Sequence, residues 1–118
     1  MKYDKLVRDR IPEIIEGKGS HAVVEVLDES PFKWYLDEKL LEELREYQED
    51  GSVGELADLV EVVYAILDSK GISVEEFKRI GVSKAEEHGG FQKKLIFKRS
   101  CHNVKKDGDI NAFEFNRI

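Results

Sequence analysis

A mainly α-helical bundle is the fold predicted by three features of the sequence. Two long stretches carry apolar residues at three- and four-residue spacing, serines and glycines stand between them as helix starts and stops, and only two short runs have β-branched character. Those two runs leave room for short β-strands near 22–27 and 95–98.

Taken in order, Pro12 occupies a natural first helical position and Gly17 and Gly19 follow as stop signals, which predicts a short helix or turn. His21-Ala22-Val23-Val24-Glu25-Val26-Leu27-Asp28 has strand character, and Leu95-Ile96-Phe97-Lys98 is its expected partner. From about Phe32 to Glu49, Leu36, Leu40, Leu44 and Tyr47 form one apolar stripe, so this segment is an amphipathic helix. A second helix opens at Ser52-Val53-Gly54-Glu55, a capping-box pattern, and runs through Leu56, Leu59, Val60, Val63, Ile66 and Leu67 until Gly71. A third opens at Ser73-Val74-Glu75-Glu76 and ends at Gly89-Gly90, with Gly81 a weak point inside it. Residues 99–118 show no period and read as an irregular tail, in which Phe113 and Phe115 alternate with polar residues.

With 118 residues, 41% of them hydrophobic, the chain has room for one domain with one core. A net charge of −6 disfavours a nucleic-acid polymer or an anionic membrane as partner. Charges interrupt MKYDKLVRDRIPEII where a secretory signal needs an apolar run, and nothing approaches the roughly 18 apolar residues of a membrane span. A single cysteine, Cys101, cannot close an intramolecular disulfide; a cytoplasmic location is expected.

The chemistry concentrates in EELREYQEDGSVGELAD, residues 42–58. Residues three apart on a helix share a face, so Glu43 pairs with Glu46 and Glu55 with Asp58. Glu46 and Glu55 are equidistant from the Asp50–Gly51 peptide, and so are Glu43 and Asp58. In an antiparallel hairpin the two pairs lie side by side if these faces meet. Helical phase puts Glu55 inside the apolar stripe of its helix and Glu43 at the border of the other. Carboxylates converging at a core boundary repel one another and lose hydration unless a cation sits among them. All-oxygen ligands point to Mg2+, with Mn2+ as the alternative. Against this stands a plainer account, in which the acids decorate a solvated hairpin and Glu55 merely completes its capping box.

Three motifs together resemble a known family. Glu42-Glu43-Leu44-Arg45-Glu46 followed by Glu55-Leu56-Ala57-Asp58 is similar to the E-E-x-x-E and E-x-x-D signature of the MazG-like all-α nucleoside triphosphate pyrophosphohydrolases. Lys5 to Ile15 looks like the opening of the phosphoribosyl-ATP pyrophosphohydrolase-like subgroup, and Lys84-Ala85-Glu86-Glu87 with Gly89-Gly90-Phe91 like its closing motif. His88 stands where that subgroup carries an arginine.

The resemblance implies a MazG-like domain over residues 1–98, with Glu43, Glu46, Glu55 and Asp58 as Mg2+ ligands. It also implies a homodimer or dimer of dimers, and hydrolysis of a nucleotide to its monophosphate and pyrophosphate, as in nucleotide-pool house-cleaning. Phosphoribosyl-ATP is the alternative substrate, and a catalytically silent dimerisation or regulatory bundle the alternative function. Glu46 is the expected general base, taking the water's proton on one carboxylate oxygen. Lys5, Arg8, Lys39 and Lys84 are the candidate phosphate contacts. Glu42, Glu49 and Asp50 read as bystanders. Trp34 and Tyr35 suit core or interface packing, or stacking on a base, and Cys101-His102 lacks the further ligands of a metal site.

Overall fold

The pre-set φ of Pro12 suits the first turn of α1 (Ile11–Gly17), and Gly19 takes a left-handed φ of 94° just beyond the helix end. α2 (Glu29–Asp50) begins earlier than the apolar stripe, because Pro31 falls in its first turn, where no intrahelical N–H is needed. α3 (Val53–Ser69) and α4 (Val74–His88) complete the computed structural model, which describes residues 4–101. The chain is mainly helical. It divides into two units, Met1–Phe77 and Lys78–Ile118, and the division falls inside α4.

In the first unit α2 and α3 pack against each other as a hairpin. Gly51 makes the reversal: its φ of 72° is left-handed, and its amide donates to the carbonyl of Tyr47 at 2.6 Å. Ser52 then caps α3, its hydroxyl accepting from the Glu55 amide at 3.3 Å and donating to Asp50 Oδ2 at 3.0 Å. Ser73 repeats the device at α4, accepting from the Glu76 amide at 3.1 Å. Gly89, with φ 81°, follows the last residue of α4, whose helix runs unbroken through Gly81.

Leu36 and Val62 are the buried hydrophobic residues among those described, at 4% and 7% exposure, and Glu43 joins them at 6%. Leu36 and Glu43 are seven residues apart on α2, and Glu55 and Val62 seven apart on α3, so each carboxylate shares a face with a buried aliphatic residue. The rest of the predicted stripes is covered less completely: Leu40, Tyr47, Leu59, Val63, Ile66 and Leu67 are half-buried, while Leu44, Leu56 and Val60 are exposed.

Residues 22–27 and 95–98 form no strand. A strand is stable only when a neighbour takes up its backbone groups, and neither run is built into a ladder. Val23, Val26 and Leu95 are accordingly 89%, 94% and 81% exposed. β-Branched composition alone did not supply a partner. Most of the 99–118 tail, with Phe113, Phe115 and His102, lies outside the described residues; Cys101 is exposed. Among the described residues no helix is long and apolar enough to cross a membrane.

Candidate metal centre

The hairpin register brings three carboxylates together. Glu43 from α2 with Glu55 and Asp58 from α3 each offer an oxygen, and these oxygens all lie within 4.8 Å of one another. Glu46 flanks them: it approaches both Glu43 and Glu55 closely enough to share a hydrogen bond when one partner is protonated.

Two of the three unpartnered buried side-chain oxygens among the described residues belong to this cluster, Oε2 of Glu43 and Oε2 of Glu55. A buried carboxylate oxygen without a partner is costly, which makes the pair informative. The capping box is also only half formed: Ser52 receives the Glu55 amide, but no hydrogen bond runs from the Ser52 amide back to the Glu55 carboxylate. Glu55 therefore turns toward the acids and away from its own helix terminus. The plainer account of Glu55 loses its main support.

Burial pushes the Glu43 carboxyl up, with Glu46 adding to the rise and Lys39 opposing it. Glu55 is raised as well, by lost hydration first and then by the negative charges of Glu46, Asp58 and Asp50. Three carboxylate oxygens so close together, two of the carboxylates having an unpartnered buried oxygen, are a donor set of the kind that takes a hard divalent cation.

Cations already border the cluster. The segment before α1 straddles the hairpin: Lys5 Nζ lies 2.8 Å from Glu42 Oε1 on α2, and Arg8 Nη2 lies 2.7 Å from Asp58 Oδ1 on α3. Lys39 Nζ reaches Glu42 Oε2 at 2.7 Å and Glu43 Oε1 at 3.4 Å. Burial raises the Glu42 carboxyl, but the hydrogen bonds from Lys39 and Lys5 outweigh it and hold it below its ordinary value. Lys5 is pushed up in turn, chiefly by its hydrogen bond to Glu42.

Of the sequence-derived phosphate contacts, Lys5, Arg8 and Lys39 are gathered at the carboxylates; Lys84 is exposed on α4, in the other unit. Glu42 is the residue that reading the sequence undervalued. Its i,i+3 relation to Lys39 was visible, but the contact with Lys5, 37 positions away, was not.

Comparisons with known protein families, with curated proteins and with solved structures find no match to this chain.

Proposed function

We propose that the chain is a Mg2+-dependent hydrolase of nucleoside triphosphates or related nucleotides, releasing the monophosphate and pyrophosphate. The observation that carries this reading is Glu43: a carboxylate 6% exposed, with one oxygen unpartnered, set among two further acids from the facing helix.

In this reading Glu43, Glu55 and Asp58 hold the cation, with Glu46 at its edge. Bound there, Mg2+ supplies charge neutralisation for the phosphate chain and activation of water. Glu46 is the positioned base: it neighbours two of the ligands and is itself half-buried. Lys39 and Lys5, bracketed by Glu42, present ammonium groups to phosphate oxygens, and Arg8 can exchange Asp58 for a phosphate because guanidinium pairs with both. In the same reading the enzyme is cytoplasmic and works as a homodimer or dimer of dimers; for the assembly the support is that, among the described residues, Leu36 and Val62 are the buried aliphatic side chains, a small core for a hairpin of this length.

The test is pyrophosphate release from a panel of nucleoside triphosphates and phosphoribosyl-ATP, with and without Mg2+. Turnover that requires Mg2+ supports the proposal and names the substrate. No turnover, together with no Mg2+-dependent rise in melting temperature, favours the silent bundle.

A further inference from the structure

Beside the carboxylates, the stretch of α2 from Trp34 to Arg45 and residues 4–6 surround a recess of about 210 Å³. Its two ends differ in chemistry. At one end Trp34 stands 58% exposed, edge-on to the Tyr35 ring with centroids 4.8 Å apart and planes at 86°. At the other end Lys5 and Lys39 are held side by side by Glu42, at 2.8 and 2.7 Å. Arg45 adds a third cation to the lining, and Asp4 and Glu38 line it along with Glu42, so a phosphate chain has to meet the ammonium groups of Lys5 and Lys39 and not the recess as a whole.

Lys39 belongs to both places, since its ammonium is also 3.4 Å from Glu43 Oε1. A rise of about 1.5 Å per residue sets Trp34 roughly 7–8 Å along α2 from Lys39 and roughly 13–14 Å from Glu43. The recess is smaller than the roughly 300–1,000 Å³ of pockets that enclose drug-sized ligands, so it takes a single ring system and leaves the rest of a ligand outside. An aromatic face at one end, ammonium groups at the other and a carboxylate cluster beyond them match the ring, the phosphates and the metal of a nucleotide lying along α2.

We infer that this recess is the base subsite: the purine or pyrimidine ring stacks on Trp34 while the phosphates run past Lys39 and Lys5 to the carboxylate cluster. The inference rests on the hydrolase reading and adds to it the residue that senses the base. Truncating an aromatic side chain that stacks on a base weakens binding by roughly tenfold or more. Pyrophosphate, which has no ring, is indifferent to Trp34.

Trp34 is the one tryptophan of the chain, so its fluorescence reports this subsite alone. The full chain in Mg2+ is titrated with the α,β-imido analogues of the four common ribonucleoside triphosphates and, separately, with inorganic pyrophosphate. At least one analogue is expected to change the tryptophan emission saturably, while pyrophosphate raises the melting temperature without changing the emission. Trp34→Ala should bind that analogue roughly tenfold more weakly, Trp34→Phe should recover most of the loss, and both should keep the pyrophosphate-induced rise in melting temperature, which shows them folded. Analogues that stabilise the chain without touching the emission, or equal binding by Trp34→Ala, would overturn the subsite and leave the hydrolase reading standing. No Mg2+-dependent stabilisation by pyrophosphate or any analogue would overturn both.

Discussion

Arg8 Nη2 lies 2.7 Å from Asp58 Oδ1, so a candidate phosphate contact and a candidate metal ligand are paired with each other. Asp58 thus has a cation in the absence of metal, unlike the orphaned oxygens of Glu43 and Glu55. A divalent ion entering the cluster competes with that guanidinium. Arg8→Ala is therefore expected to tighten Mg2+ binding in the absence of nucleotide and to weaken nucleotide binding in the presence of Mg2+. Both partners are about half exposed, which holds the gain for the metal alone to about fivefold or less, the range of a surface pair. Calorimetric titration with Mg2+ alone, then with Mg2+ and a nucleotide analogue, reads the two effects. Weaker binding of the metal alone would mean that Arg8 supports the cluster without competing for it.

Glu43 makes the opposite prediction for stability. Its Oε2 is buried without a partner, Lys39 stands 3.4 Å from its other oxygen and Glu46 adds a neighbouring negative charge, so in metal-free buffer the charge is a liability. Glu43→Gln removes that charge at nearly constant volume. Relieving a poorly satisfied buried group is worth on the order of 1–3 kcal/mol, so the metal-free variant should melt several degrees higher than the parent chain. Mg2+ should stabilise the parent and not the variant. A metal-free Glu43→Gln chain that melts lower would mean that the carboxylate is already satisfied in solution.

The same carboxylates give metal-free stability a direction in pH. Glu43 and Glu55 are raised above their ordinary 4.5, so the folded chain keeps their protons at pH values where the unfolded chain has lost them. Stability consequently falls as pH rises from 4.5 through the raised values. Glu42 works in the reverse sense: its folded value is depressed, so its contribution is present above 4.5 and is lost as pH falls through that depressed value. Melting in EDTA should therefore improve on acidification from neutral pH toward 4.5 and worsen below it. Saturating Mg2+ keeps the cluster ionised and should remove the improvement; an identical pH profile with and without Mg2+ would place the titration elsewhere.

The convergence of Glu43, Glu55 and Asp58 is legible in the sequence, and the reasons are local. Gly51 and Ser52 set the reversal, helical phase follows from 3.6 residues per turn, and together they dictate that Glu43 and Asp58 face each other. Glu55 was ambiguous because its sequence position satisfies a capping box; only the side-chain direction separates the two roles. Contacts made by the segment before α1 were out of reach, since nothing periodic links Lys5 to Glu42 or Arg8 to Asp58 across 37 and 50 positions. The expected strands failed for a related reason: a strand is a property of two segments, and Val23 and Val26 inform on only one.

Glu46 lies beside the three converging acids without belonging to the tightest group, and this suits a base better than a ligand. Glu46→Gln should then keep most of the Mg2+ affinity while turnover drops by the 10²–10⁴-fold typical of a lost general base. Glu55→Gln, by contrast, should lose the metal first, with turnover partly restored at high Mg2+. Near-normal turnover by Glu46→Gln would transfer the proton-accepting role to another carboxylate of the cluster.

The exposed faces of the hairpin supply the last prediction. Leu56, Val60 and Tyr64 recur every four residues on α3, each 39–41% exposed, and Leu41 and Leu44 are similarly exposed on α2. Each is too apolar to be left in water at no cost, and covering the two fifths still exposed is worth roughly 0.6–1.2 kcal/mol per side chain. A second copy offers the same stripe, and a two-fold axis lets each stripe cover the other. Val60→Glu places a charge in the middle of that contact, so it should convert the proposed dimer to monomer in sedimentation velocity and lower the melting temperature with helical content largely retained. Raising salt should not dissociate the proposed dimer, because burial of apolar surface is not screened. A parent chain that sediments as a monomer at every concentration tested would show that something other than a second copy covers Leu56, Val60 and Tyr64.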